Sequence, residues 1–309
     1  LTSVCIVHVI DKDAQTAPMI SAGNSHVIAL KSDGTVWTWG NNEYGQLGDG
    51  SVSCAYEPIN VTALNGKDIV SVQYHSIALT RDGEVYTWGH NDYGQLGLGN
   101  ASIVVSTPQK VESLPEIVSI SAGKQHTMVL GADGYVYSFG DNSLGQLGAP
   151  SKDTSKRSST PVVAQGLNKV ISISIGAGGS ATKAVRYDGT LWGWGENSNH
   201  QIDNTNNRYY AYPVQIDLGD EFNGHILKTY DGLYHVVAML DNGRIISWGA
   251  NSEGQLGQGI AESGSLLYYA PNYVDVFDGT NNYAVDISVG ALHNLAITAD
   301  GRVMSWGSA

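Results

Sequence analysis

The stretch VWTWGNNEYGQLGDG, residues 36 to 50, decides the architecture because it recurs. It returns as VYTWGHNDYGQLGLG (85 to 99), VYSFGDNSLGQLGAP (136 to 150), LWGWGENSNHQIDNT (191 to 205), IISWGANSEGQLGQG (245 to 259) and a shorter VMSWGSA (303 to 309). Self-similarity at a period of about 50 residues is the signature of a solenoid or propeller. Each copy is preceded by a second element that ends in Asp-Gly or Asn-Gly: HVIALKSDG (26 to 34), HSIALTRDG (75 to 83), HTMVLGADG (126 to 134), ATKAVRYDG (181 to 189), HVVAMLDNG (235 to 243) and HNLAITADG (293 to 301). Those dipeptides tolerate the positive φ of a tight turn, and alternating residues flank them, so the repeated unit is a β-hairpin.

The alternation fixes which faces need cover. Residues aligned with Trp39 are Trp88, Phe139, Trp194, Trp248 and Trp306, and those aligned with Trp37 are Tyr86, Tyr137, Trp192, Ile246 and Met304. Between them lie Val36 and its aliphatic equivalents, and Thr38 with Thr87, Ser138, Gly193, Ser247 and Ser305. Successive strand residues face opposite sides, so one face is bulky, the other recessed, and both are buried. In the preceding strand Ala29, Ala78, Ala184, Ala238 and Ala296 supply small residues where crowding is expected. Stacking each bulky face into its neighbour's hollow predicts an all-β fold, a closed β-propeller forming a single domain over residues 1 to 309.

The aromatic anchors are 49, 51, 55, 54 and 58 residues apart, and the variation falls before segments that read as a further strand of each blade: PINV (58 to 61), PQKV (108 to 111), PVVA (161 to 164), PVQI (213 to 216) and PNYV (271 to 274). No such segment follows Trp306, whereas residues 4 to 10, VCIVHVI, form a strand-like run with no hairpin before it. The N-terminal strand is expected to complete the C-terminal blade and remove its exposed edge. The elements AGxxH, ALxxDG and VWxWGxNxxGQLG, over residues 19 to 309, resemble the regulator of chromosome condensation repeat family. The resemblance implies a propeller of usually seven blades. Six hairpins leave a six-bladed ring or an incomplete seven-bladed one, and the matching ends favour six.

Composition narrows the function. The chain carries 16 Lys and Arg against 29 Asp and Glu, a net charge of −13, which argues against direct nucleic-acid binding. No apolar run approaches the roughly 18 residues of a membrane helix, and residues 1 to 10 lack the basic start and cleavage site of a signal peptide. Cys5 and Cys54 either pair or stay reduced, and the sequons at Asn60 and Asn100 matter only in a secreted, glycosylated protein.

His26, His75, His126, His235 and His293 recur at one position, with Ala181 breaking the series. Equivalent atoms of successive blades are about 60° apart around an axis, too far for one ion, so these are structural residues and no metal or cofactor is expected. Gln46, Gln95, Gln146, Gln201 and Gln255 are expected to hold turn backbone. The Asp-Gly aspartates are turn residues, and no converging acid–base groups point to an enzyme.

Function is therefore sought where the copies differ. Three insertions stand out: 149 to 160 with Lys152, Lys156 and Arg157; 204 to 212 with Arg208, Tyr209, Tyr210 and Tyr212; and 262 to 273 with Leu266, Leu267, Tyr268, Tyr269 and Tyr273. The fourth copy also replaces a GQLG glycine and leucine with His200 and Ile202. Tyrosine among Ser, Asn and Arg is the composition of adaptable protein-binding surfaces. A second surface is the ring of Gly-x-x-His loops, where Tyr74 and Tyr234 are the aromatic members.

The expected partner-binding residues are thus Tyr74, Tyr209, Tyr210, Tyr234, Tyr268 and Tyr269, on a monomeric, non-enzymatic module that binds a protein. The resemblance implies two alternatives: inhibition of a secreted enzyme such as a β-lactamase, and guanine-nucleotide exchange on a small GTPase. A light-sensing role would need tryptophans in the Gly-x-x-His loops, and none of the six has one. An extracellular or cell-surface location in a bacterium is expected, or a cytoplasmic or nuclear one in a eukaryote.

Overall fold

A computed structural model describes residues 18–23, 25–65, 67, 69–73, 76–99, 104–150, 156–176, 179–219, 222, 224–259, 268–279 and 282–308, with the backbone alone for 69–73, 268, 269 and 278. The chain forms a six-bladed β-propeller. Blade 1 shows the unit: four antiparallel strands, Met19–Ala22, His26–Leu30, Val36–Gly40 and Ala55–Asn60, hydrogen-bonded in that order. Blades 2 to 5, spanning 69–110, 117–163, 170–215 and 226–278, repeat it, and blade 6, 284–307, has three strands among the described residues. First strands of neighbouring blades touch one another, which puts them nearest the axis and the fourth strands on the rim. Among the described residues the helix content is a single 3-10 turn, Thr62–Leu64. Residues 4 to 10, expected to complete blade 6, lie outside the described residues, as does Cys5. The Cys54 thiol is exposed and unpaired among those described.

The hairpins form where Asp-Gly and Asn-Gly place them. His26 pairs with Gly40 and Leu30 with Val36 across the first turn, and Gly34 takes a φ of +78° there. One buried cluster joins Ile28, Leu30 and Val36 of blade 1 to Ala78, Tyr86 and Trp88 of blade 2. The same arrangement joins each successive pair as far as blades 5 and 6, where Val237 and Ile245 meet Ala296, Met304 and Trp306. Each blade thus has a trailing face of aliphatics and a leading face of alanine and rings. The repeated alanines sit in these junctions, where they let the preceding sheet approach.

Polar atoms key the junctions as strongly as the hydrocarbon. The indole Nε1 of Trp88 donates to the backbone oxygen of Gln46 in the preceding blade at 3.0 Å. Trp194, Trp248 and Trp306 donate likewise to Gln146, Gln201 and Gln255 at 2.9, 3.1 and 3.1 Å. Phe139 has no such donor, and there Thr127 Oγ1 donates to the Gln95 oxygen at 2.7 Å. The glutamine side chains brace their own turns, each Oε1 accepting from the amide two residues earlier, as Tyr44 N to Gln46 at 2.9 Å and Glu253 N to Gln255 at 2.8 Å.

The histidines complete the key. His26 Nε2 lies 3.2 Å from Ser76 Oγ, His126 Nε2 lies 3.4 Å from Thr182 Oγ1, and His235 Nε2 lies 2.8 Å from Asn294 Oδ1, each pair spanning a junction. Burial drives the His26 imidazole pKa down to about 4. Burial also lowers that of His235, against an opposing contribution from its bond to Asn294. Each of these side chains bridges its own junction, separate from the others.

Two measurements check this scheme. Trp88→Phe keeps a ring where Phe139 already fits but removes a buried donor, and should cost about 1–3 kcal/mol in urea denaturation. Trp39→Phe, whose indole meets no glutamine oxygen among the described residues, should cost less. Between pH 6.5 and about 4 the unfolded chain protonates His26 and the folded chain resists. Stability should therefore fall as pH drops, by about 2–3 kcal/mol from this residue at pH 4.5, and His26→Gln should flatten that part of the profile.

Candidate interaction face

The hairpin register sorts the loops onto two faces. His26 pairs with Gly40, so the loop before each histidine and the GQLG turn after each aromatic strand lie at the same end of the blade, and the Asp-Gly turns lie at the other. The outer strands enter at the GQLG end, since Gly195 pairs with Tyr210 and Gly249 with Tyr269. Tyr209 and Tyr268 are consequently equivalent residues on adjacent blades, as are Tyr210 and Tyr269. The corresponding residues are Val104 and Val105 in blade 2 and Arg157 and Ser158 in blade 3. The described ends of these two insertions therefore occupy equivalent places on adjacent outer strands.

Within it the tyrosines divide. Tyr209 is 50% exposed and Tyr212 47% exposed. Tyr210 is half-buried, packs against the junctions of its blade and donates its hydroxyl to the Asp203 carboxylate, while Asn207 Nδ2 donates to it at 2.9 Å. Partial burial pushes the Asp203 carboxyl pKa up, but hydrogen bonds from Tyr210, Thr205 and Asn197 outweigh it and hold the pKa below the usual value. Tyr210 thus anchors the insertion, and Tyr209 and Tyr212 are its free aromatic surface. Tyr234 is half-buried near the axis on the same face, and its backbone oxygen accepts from Ala250 at 2.9 Å. Tyr74 lies outside the described residues, and Tyr268 and Tyr269 are placed by backbone alone. Of the cations in the 149 to 160 insertion, Lys152 lies outside the described residues, Lys156 is exposed, and Arg157 Nη1 donates to the Asp92 backbone oxygen of blade 2 at 2.7 Å, a bracing contact.

His200 marks a local departure of this sector. In blades 1 to 3 the matching glycines, Gly45, Gly94 and Gly145, have φ of +73° to +78°, and a Cβ there would lie 2.5–2.7 Å from the next blade's outer strand. His200 keeps a positive φ, +54°, while carrying a side chain. The outer strand of the next blade, Tyr268–Asp278, runs 11 residues, against 6 or 7 in blades 1 to 4.

Two sets of residues to which the sequence reading gave no role are structural. Asn42, Asn91, Asn142, Asn197 and Asn251 each accept from the amide five residues on, at 2.9–3.1 Å, closing the GQLG turn. Their recurrence at a fixed offset before the glutamine was the available signal. Lys183 and Asp231 form a fully buried ion pair between blades 4 and 5, where Ser174 Oγ also donates to Asp231 at 2.5 Å. Lys183 occupies the position of Ile28, and no sequence pattern marked its partner.

Fold and register together define a β-propeller built from one hairpin repeat, with exposed Tyr209 and Tyr212 on the rim of its GQLG face. The regulator of chromosome condensation (RCC1) repeat model matches residues 33–79, 82–130, 133–182 and 242–297, and the chain belongs to that family. The ultraviolet-B receptor UVR8 of Arabidopsis thaliana is 33% identical over 96% of this chain and 67% of its own length. The human E3 ubiquitin-protein ligase HERC2 is 29% identical over 92% of this chain, which spans only 5% of that relative. The crystal structure of Prp20p from Saccharomyces cerevisiae, described with its binding to Gsp1p and histones, superposes with a TM-score of 0.77 at 25% identity, over 93% of this chain and 71% of that one.

The division among the tyrosines is testable by denaturation. Tyr210→Phe should cost about 1–3 kcal/mol by stranding Asp203 and Asn207, whereas Tyr209→Ala should stay within about 0.5 kcal/mol of the parent.

Proposed function

We propose that the protein is a non-enzymatic protein-interaction module whose GQLG face, at the rim of blades 4 and 5, is the contact surface. The observation that carries this is the contrast between the repeated and the unrepeated polar groups. Among the described residues, His26, His126 and His235 and the recurring glutamines and asparagines are used in junctions and turns, while Tyr209 and Tyr212 are exposed where two blades depart from the common pattern. Tyrosines there offer large contact area with little side-chain entropy to lose. Inhibition of a secreted enzyme is supported less well, since of its two loop aromatics Tyr234 is half-buried and Tyr74 lies outside the described residues.

Affinity capture with the intact chain tests the reading, because Tyr187, 49% exposed beside the Asp188-Gly189 turn on the opposite face, serves as control. The double variant Tyr209→Ala/Tyr212→Ala should lose a partner that Tyr187→Ala retains, and equal retention by both would overturn the assignment. The likeness to Prp20p favours a second reading, nucleotide exchange on a small GTPase. Failure of the protein to speed nucleotide release from a Gsp1p-type GTPase would remove it.

A further inference from the structure

One hairpin turn of the six carries an amide where the others carry a carboxylate, and the change leaves an arginine without its counter-ion. Asn242 in blade 5 is equivalent to Asp33, Asp82, Asp133, Asp188 and Asp300. Blade 6 shows what the aspartate does for an arginine two places on. Asp300 Oδ1 accepts from the Arg302 amide at 3.4 Å, and its Oδ2 accepts from Arg302 Nε at 2.7 Å. Blade 5 repeats the first contact and not the second: Asn242 Oδ1 accepts from the Arg244 amide at 3.1 Å, but Arg244 Nε is buried without an acceptor.

The guanidinium is nevertheless held in place. Its Cζ lies 3.3 Å from the centroid of the Tyr273 ring, the stacked geometry that arginine adopts on aromatic faces. Tyr273 is itself rooted, since it packs against the buried cluster of the blade 4–5 junction and Phe222 meets it edge-on, centroids 5.1 Å apart. Beside the stem, Gly279 leaves room that a side chain would close, because a Cβ there would lie 2.9 Å from Arg244 Cγ. Arg244 is half-buried, and its guanidinium makes no hydrogen bond or ion pair among the described residues. Arg157, Arg186 and Arg302 all donate to oxygens. In a chain of net charge −13, a guanidinium that is fixed, partly dried and unneutralised is a preformed receptor for an anion.

We propose that Arg244 and Tyr273, on the Asp-Gly face of blade 5, bind the carboxylate of an acidic side chain on a protein partner. The repeat indicates the group, because the oxygen that satisfies Arg302 belongs to an aspartate and blade 5 alone supplies an amide at that position. A carboxylate matches the paired donors of a guanidinium, and partial burial makes such a pair stronger than an exposed one. The stack has already ordered the arginine, so little rotamer entropy remains to be lost on binding. The site lies on the face opposite Tyr209 and Tyr212 and stands or falls independently of the contact surface proposed there.

Nuclear magnetic resonance on the full chain, isotope-labelled at arginine, tests this with N-acetylglutamate amide as probe and N-acetylglutamine amide as its uncharged twin. The Arg244 Nε–H resonance, identified by its loss in Arg244→Lys, should shift saturably with the first and not with the second. Asn242→Asp places in this turn the residue that five others fold with, and it should weaken probe binding by about tenfold or more, because a tethered carboxylate outcompetes a free one. Tyr273→Leu should weaken binding by about threefold. The proposal is overturned by an Arg244 resonance that does not move, by equal shifts with the two probes, by equal shifts at exposed Arg208, by undiminished binding in Asn242→Asp, or by tighter binding of inorganic phosphate than of the glutamate probe.

Discussion

A backbone oxygen at the centre of each GQLG turn holds the molecule together across its blades. It must point sideways out of its own sheet to receive an indole or hydroxyl from the next, and nearly every recurring residue serves that orientation. The asparagine two places after the Trp-Gly pair and the glutamine side chain lock the turn, and the glycines supply the left-handed φ that bends it. The donor on the next blade then inserts into a hollow floored by aliphatics. Remove the glutamine geometry and the tryptophan loses its acceptor inside a dry junction, where an unsatisfied donor is expensive.

That economy leaves few polar groups free for chemistry. Of the histidines that a metal hypothesis would seize on, His26, His126 and His235 are buried and separately partnered, and the turn aspartates cap their own turns, as Asp33 does for Thr35. What is left to vary is the rim and the loops near the axis. His200 stands where blades 1 to 3 carry a turn glycine, while Tyr210 ties down the insertion that carries Tyr209 and Tyr212 outward. A surface so assembled has rigid roots and exposed rings.

The hairpins, their order and the face-to-face stacking were legible because period-two alternation and Asp-Gly turns are local signals that six copies repeat. The division of labour among the tyrosines was not. Tyr209 and Tyr210 are neighbours of one type, and strand alternation sends one to solvent and the other onto Asp203, a residue of the preceding loop that only the folded rim brings within reach. Lys183 was equally hidden: a lysine in a strand reads as solvent-facing, and its partner is 48 residues away on another blade. The change from aspartate to Asn242 in one hairpin turn was present in the sequence. It acquires meaning only once the fold shows Arg244 stacked on Tyr273 without an acceptor for its Nε.

The buried Lys183–Asp231 pair makes the seam between blades 4 and 5 unlike its counterparts. Parting any other pair of blades mainly wets hydrocarbon and indole, whereas parting these two also returns a full positive and a full negative charge to water, recovering hydration that their burial forfeited. At the seam beneath the tyrosine rim, hydration of the two charges therefore offsets part of the cost of opening, a contribution that a seam of hydrocarbon alone does not have.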